Sequence, residues 1–463
     1  MQTNEAKNVT QWLDSLSFNR FHGLVVLLSA MVCIFDGYDS QIIAYVMPQV
    51  IREWKLTPIV AGSIASYGFL GLMVGSASFG MIADRIGRKT ALMLALTVFT
   101  SFSGVAAFAP NFTIFCILRF LAGLGMGGAL PVVLGIASEF SPARIRGKVV
   151  TGVFAGFTGG WALAGGVAMW IIPALGWRSA LFVGFIPIAV LPILKWLCPE
   201  SVRFLASKGH LDEAIAQMRR VERAAGVKPI EWKDEHFHAG PVVMKHGRVR
   251  DLFGHHLASI TLVLWFSTFF SLLVVYGLST WLPTMLVKQG MSLVKSYSYG
   301  FVQAVGASVG GFLCGWVMDW LGRKRAMIVF YCLAAVMVYL FGTVSNTVTL
   351  YVIGGLAGML VIGAQIGIQV ISAESYPTQI RTTGAGYALT MGRFGAIVAG
   401  VLGGLLLELG FTFRQFFAFY SLPCLILAGL AFLYRINKAD ALEKISAKLL
   451  QEKEGALKTK VSF

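Results

Sequence analysis

Charge is scarce in this sequence. Only 13% of its 463 residues are Asp, Glu, Lys or Arg, against roughly 25% in a soluble globular chain, which excludes a broad solvated surface. Histidine is rarer still, with seven residues, and none stands inside a long apolar stretch; His22 is at the margin of one. A buried imidazole relay is therefore unavailable, and any proton chemistry falls to carboxylates. The six cysteines (33, 116, 198, 314, 332 and 424) are scattered with no metal-ligand or redox spacing, so they read as packing residues. Long polar segments are missing as well, apart from residues 199–256.

What is abundant is hydrocarbon. The chain is 56% hydrophobic with a mean hydropathy of +0.73. A membrane-spanning helix needs about 20 mostly apolar residues. Twelve such stretches are present, near 21–50, 58–83, 90–109, 112–138, 149–173, 179–198, 257–285, 296–318, 326–344, 348–373, 383–408 and 414–434. The 52 glycines fit close packing of membrane helices. The expectation is an all-α integral membrane protein embedded in a lipid bilayer. The first twenty residues are polar and of mixed charge, and the apolar stretch after them is too long for a signal-peptide core, so no cleavable leader is expected.

The net charge of +16 raises nucleic acid as a partner, but its distribution excludes that reading. Alternate loops hold 30 of the 38 Lys and Arg, and the opposite set holds six: Arg52, Lys55, Arg178, Lys288, Lys295 and Arg414. Basic residues are retained on the cytoplasmic side, which places both termini there; the excess also suits anionic lipid. Residues 199–256 contain "GHLDEAIAQMRRVERAAG", a surface helix, and six of the seven histidines. No cysteine accompanies His236/His238 or His255/His256 in this segment, which reads as a solvated linker, so no metal is expected. The expected organisation is 1–198 as a six-helix bundle, 199–256 as a cytoplasmic linker, 257–435 as a second six-helix bundle and 436–463 as a cytoplasmic tail.

The two bundles repeat each other at a constant shift of 235 residues. "GMIADRIGRK" at 80–89 matches "GWVMDWLGRK" at 315–324, and "SEFSPARIR" at 138–146 matches "AESYPTQIR" at 373–381. The second match pairs Glu139 with Glu374 and Arg146 with Arg381. Each copy keeps its orientation, so the repeats are parallel about an axis along the membrane normal, the arrangement known for the halves of major facilitator transporters.

The first motif and its copy resemble the loop motif of the major facilitator superfamily, and "PESVRFL" at 199–205 is similar to the element after the sixth span of its sugar and organic acid porters. "DGYD" in the first span, "RFLAGLGMGGALP" (119–131), "SEFSPARIRG" and "TMGRFGAI" (390–397) together resemble the aromatic acid:proton symporter family. That resemblance implies twelve spans in two pseudo-symmetric bundles and uptake of benzoate- or hydroxybenzoate-like acids with protons. It also implies a latch of Asp84 with Arg88, mirrored by Asp319 and Arg323, on the cytoplasmic face. Gly80, Arg85, Gly87, Gly322, Glu374 and Arg381 complete that gating set.

Within the spans, only Asp36 and Asp39 are clearly intramembrane acids, with Glu139 at a span end joining them as proton-coupling candidates. Buried ionisable groups face a cavity or a partner, and residues i and i+3 share a helix face. Counting ~1.5 Å per residue puts Asp39 and Arg119 in the same outer half of the bilayer, close enough in depth to pair. That pair reads either as an ion bridge between two helices or as a functional site, in which the acid carries a proton with an affinity set by its arginine and Arg119, with Arg393, binds the substrate anion. Arg393 falls near the midplane with no acidic neighbour in its own span, and its fork suits a carboxylate. Gln303, Gln365, Gln369 and Tyr387 are candidate contacts for a substrate hydroxyl, and Tyr38, Tyr45, Tyr67 and Phe394 for its ring.

"GLGMGG" (123–128) and "GASVG" (306–310) imitate nucleotide and hydrolase motifs, but neither follows a strand, so they read as helix packing. The fifth span, "GVFAGFTGGWALAGG", lacks the Gly-Pro pair of many drug antiporters of the superfamily, which favours import over efflux. The functional expectation is a proton-coupled symporter of a small aromatic carboxylate in the bacterial inner membrane. It is expected to act as a monomer with no cofactor beyond the coupling proton. The alternatives are a porter for a muconate-like dicarboxylate or a sugar, and a membrane sensor that binds the acid without moving it. No nucleophile–base constellation supports an enzyme.

Overall fold

The computed structural model describes residues 8–237, 249–254, 257–377 and 380–434. Twelve helices are long and apolar enough to cross a membrane: α1 (Arg20–Trp54), α2 (Pro58–Ile86), α3 (Arg88–Phe108), α4 (Phe112–Glu139), α5 (Arg146–Leu175), α6 (Trp177–Leu197), α7 (Leu257–Lys288), α8 (Leu293–Leu321), α9 (Arg323–Phe341), α10 (Thr347–Glu374), α11 (Arg381–Glu408) and α12 (Phe413–Ala431). Each expected span lies within or nearly within one of them, and no strand occurs among the described residues. Several helices start where a polar side chain takes over orphan backbone donors. Asn19, Thr57, Asn111, Asn346 and Thr412 all accept from first-turn N–H groups.

The chain forms two compact units. The first comprises Met1–Val242 with Leu282–Phe301; the second comprises Val243–Trp281 with Val302–Phe463. Within the first, Tyr297 ties the added segment to α1: its ring meets Tyr45 edge-on, 5.4 Å between centroids. Gly165 and Gly300 make room for that tyrosine, since a Cβ on Gly300 would lie 2.5 Å from Tyr45 Oη.

The duplication read from the loops extends to backbone contacts inside each unit. In the first unit a Cβ on Gly71 or Gly75 of α2 would strike the carbonyl of Phe120 or Leu124 of α4 at 2.0 Å. In the second unit, Gly306 and Gly310 of α8 meet the carbonyls of Gly355 and Met359 of α10 at 2.1 and 2.0 Å, every residue shifted by 235. Gly160 against the Ile34 carbonyl, and Gly395 against that of Phe269, repeat the relation at 2.1 Å each. "GLGMGG" and "GASVG" are thus sites of helix packing. Gly37, between the two intramembrane acids, belongs to the same class: a side chain there would meet the Phe157 carbonyl at 2.0 Å, so α1 and α5 touch backbone to backbone.

The linker helix predicted from "GHLDEAIAQMRRVERAAG" spans Leu211–Ala225 and ends at Gly226 in the left-handed region. Its Glu222 is 2% exposed and accepts from Trp232 Nε1 at 2.7 Å and from the Ile230 N–H at 3.0 Å. Trp232 in turn meets Trp12 of the N-terminal helix Val9–Ser15 edge-on at 5.4 Å. His236 Nδ1 accepts from the Lys233 N–H at 2.9 Å. His238, His255 and His256 lie outside the described residues. Among the described residues no group of three or more His, Cys, Asp or Glu is placed to hold a metal.

Candidate functional site

Asp39 and Arg119 meet in the first unit. Arg119 Nη2 lies 2.8 Å from Asp39 Oδ2 and Nη1 donates to Oδ1 at 3.0 Å, a two-pronged bridge between α1 and α4. The residues are 1% and 3% exposed, respectively. Ser103 of α3 closes the cluster: its hydroxyl donates to Asp39 Oδ1 and lies 3.4 Å from Arg119 Nη1. Gly68 of α2 flanks the guanidinium, because a Cβ there would stand 3.9 Å from Nη2. Four helices thus surround one ion pair. Arg119 Nε–H has no acceptor among the described residues, so one charged donor in this cluster remains to be satisfied.

Asp36 lies one turn before Asp39 and is 2% exposed. Asp39 is engaged by the guanidinium fork on both oxygens, and charge-assisted bonds of this kind are the strong ones. Asp36 shares the helix face with it.

The duplication does not reproduce this cluster. At a shift of 235 residues, Asp36, Asp39, Ser103 and Arg119 correspond to Ser271, Val274, Val338 and Gly354. Ser271 accepts from the Tyr331 hydroxyl at 3.3 Å, and Val274 and Val338 are each 1% exposed, so apolar packing takes the place of the charges. Conversely, Gln303, Gln365, Gln369, Tyr387 and Arg393 correspond to Gly68, Leu130, Leu134, Gly152 and Thr158. A scaffold shared down to its glycine contacts has therefore been specialised: acids and their arginine in one unit, amides and a second arginine in the other.

In the second unit Gln365 is 5% exposed, and neither amide atom has a hydrogen-bond partner among the described residues. A buried amide left so costs about 1–3 kcal/mol, which a bound hydroxyl, carboxylate or water would recover. Gln369 is one turn further along the same face of α10. The Gln303 stem packs on α10, with Cγ 2.8 Å from a Cβ placed on Gly358. Arg393 is half-buried on α11. Tyr387, 40% exposed, sits beside Trp265 at 6.5 Å between centroids.

The aromatic candidates of the first unit fare differently. Tyr38 is 1% exposed and its hydroxyl donates to the Ala180 carbonyl at 2.6 Å; it fastens α1 to α6 and presents no ring to a ligand. Tyr45 is consumed by its contact with Tyr297. Tyr67, and Phe394 of the second unit, are each 44% exposed.

At the other end of the first unit the loop motif forms a network. Arg88 Nη1 lies 2.6 Å from Glu139 Oε2, and the Ser201 hydroxyl reaches both oxygens of Glu139 at 2.8 Å. Glu200 Oε1 accepts the N–H groups of Arg88, Lys89 and Ser201 at 2.8, 3.1 and 2.9 Å, capping the start of α3 where the helix dipole favours an anion. Gly87 adopts φ +94°, and any Cβ there would stand 2.5 Å from Glu200 Oε2. One expectation is corrected here. Arg88 pairs with Glu139 rather than with Asp84, which is exposed on the last turn of α2. Glu139, bound into this network, stands apart from the Asp39 cluster.

The second unit repeats the arginine–glutamate half of the pattern. Arg323 donates to both oxygens of Glu374 at 3.1 Å and to Asp319 at 3.0 Å, after Gly322 at φ +82°. Gly80, Arg85 and Arg381 are exposed. Glu200 and Ser103 were not among the sequence candidates. Glu200 carried a signal in "PESVRFL"; Ser103, one hydroxyl among many in membrane helices, carried none.

Comparison with known proteins agrees with this architecture. The family model of the Major Facilitator Superfamily matches residues 29–392 and 299–454. A gallate transporter of Pseudomonas putida is 33% identical, covering 90% of this chain and 92% of its own. A niacin transporter of Acinetobacter baylyi is 33% identical over 90% and 94% of the two chains, and a benzoate transport protein of the same species is 32% identical over 93% and 92%. Among solved structures, the xylose transporter of E. coli in its inward-open conformation superposes with a TM-score of 0.73 at 17% identity, covering 92% of this chain and 99% of that one. At that identity the likeness establishes the fold alone.

Proposed function

This chain belongs to the major facilitator superfamily, in its aromatic acid transporter family, and from that premise we propose a proton-coupled symporter importing a small aromatic carboxylate. The single observation that carries the coupling is the buried Asp39–Arg119 fork, with a second acid one turn away on the same face. Asp39 is the structural partner of Arg119, and Asp36 is the residue that takes up and releases the transported proton. Movement that loosens the fork changes the field at Asp36 and with it the proton affinity. No cofactor takes part beyond the proton, and the protein works as a monomer in the bacterial inner membrane with both termini in the cytoplasm.

For the substrate, the relatives named for gallate, niacin and benzoate have one chemical feature in common, a carboxylate on an aromatic ring. In this reading Arg393 takes the carboxylate in a fork and Gln365 takes a ring hydroxyl or the second oxygen. A sugar offers no carboxylate to a guanidinium fork, and a dicarboxylate would leave one of its charges unmatched. Glu139 serves the loop network with Arg88 and Glu200, a packing and gating role.

The test is thermal stabilisation of the purified protein by benzoate, hydroxybenzoates, gentisate, protocatechuate, muconate and xylose. The expected outcome is a shift with one or more aromatic acids and none with xylose. Arg393→Ala is expected to weaken the responding acid by about tenfold or more, the worth of a charge-assisted hydrogen bond. An unchanged affinity in that variant would move the carboxylate elsewhere.

A further inference from the structure

At the end of the first unit remote from the N-terminus lies a cavity of about 500 Å³, lined by Gln49, Arg52, Glu53, Leu175, Gly176, Trp177 and Arg178. Its size falls in the range of small-molecule sites, about 300–1,000 Å³. One wall is already neutralised. Arg178 reaches both oxygens of Glu53 at 2.8 and 2.9 Å and lies 4.3 Å from the centre of the Trp177 ring, whose Nε1 donates to Glu53 at 2.6 Å. Arg52, at the other wall, is exposed and enters no hydrogen bond or ion pair among the described residues. Leu175, 72% exposed, supplies an apolar rim, and a Cβ on Gly176 would meet nothing within 4 Å, so the mouth is open. A fixed ion pair, one unengaged guanidinium, an amide and an apolar rim suit an anion with an apolar body.

We propose that this cavity is a second, peripheral binding site for small aromatic carboxylates, where Arg52 takes the carboxylate, Gln49 supports it and Leu175 covers the ring. The site rests on the functional reading above for its ligand class and for the side of the membrane it faces. In that topology both cavity arginines belong to the six basic residues placed outside, where positive charge is sparse. A local excess of positive charge in a concave place concentrates anions and speeds their association, and salt screens that effect. The cavity shares no residue with the Asp39–Arg119 cluster, so capture and coupling are separable by mutation.

The test uses the full-length protein in nanodiscs, with the exposed Cys332 replaced by Ser and Leu175→Cys carrying an environment-sensitive dye. Benzoate is expected to change the emission saturably, xylose to leave it unchanged, and Arg52→Gln to weaken the response about tenfold. Raising the salt from about 10 mM, where the screening length is near 30 Å, to about 150 mM, where it is near 8 Å, is expected to weaken the benzoate response as well. In reconstituted vesicles Arg52→Gln is expected to raise the KM for benzoate uptake several-fold with kcat unchanged. Absence of a benzoate response, or the same response in Arg52→Gln, overturns the site. A dye response in a protein that fails to carry benzoate upholds the site and removes the transport reading, so the two ideas fail separately.

Discussion

Arg119→Leu is expected to cost about 3–5 kcal/mol of folding free energy, the penalty of leaving a buried charge without its partner. Asp39 is 1% exposed, and with the guanidinium gone its two oxygens retain only the Ser103 hydroxyl. Water cannot replace the lost donors among four packed helices without opening them. The loss is read as a lowered midpoint in denaturant-driven unfolding of the detergent-solubilised protein. Arg119→Lys keeps the charge but forfeits the fork that holds both Oδ1 and Oδ2, so an intermediate loss is expected. The double variant Asp39→Leu/Arg119→Leu separates stability from function. Replacing a buried pair by apolar residues of similar volume is often neutral or stabilising, and the second unit carries no charge at the matching positions, Val274 and Gly354. The double variant is therefore expected to recover most of the stability and none of the coupled uptake. Recovery of both would reduce the ion pair to a helix fastener.

Asp36→Asn is expected to abolish concentrative uptake while leaving exchange intact. If one proton accompanies each carboxylate, a gradient of one pH unit drives about tenfold accumulation, since one unit of pH is worth 1.36 kcal/mol. An amide at position 36 keeps the shape but has no proton to carry, so the accumulation ratio in vesicles should fall to near one. Counterflow of labelled against unlabelled acid, which needs binding and reorientation but no gradient, should persist. Continued accumulation by Asp36→Asn would transfer the proton to Asp39 or to another group.

Much of this was legible in the sequence because membrane constraints act locally. Apolar runs and loop charge marked the spans, and the 235-residue shift was visible in the loop motifs. The coordinates carried it inward to the glycine contacts of α2 with α4 and α8 with α10. Asp39 and Arg119 could be matched by depth, since helical rise fixes height in the membrane. Depth does not fix which side of a helix faces what. Tyr38 therefore appeared as a ring contact, whereas its hydroxyl is spent on the Ala180 carbonyl. Arg88 appeared as the partner of Asp84, four residues away in sequence, whereas its partner is Glu139, 51 residues on. Ser103 was hidden for the same reason: only the convergence of α1, α3 and α4 gives that hydroxyl a carboxylate to bind.

The account turns on proton movement with the acid. The most direct measurement is the external pH of weakly buffered vesicles, with no imposed gradient, when benzoate is added outside. Wild-type protein is predicted to alkalinise the medium as protons enter with the carboxylate, Asp36→Asn is predicted to give no change above that of empty vesicles, and Arg52→Gln is predicted to slow the signal at low benzoate without abolishing it. Benzoate uptake by the wild type with no protein-dependent alkalinisation would contradict the account.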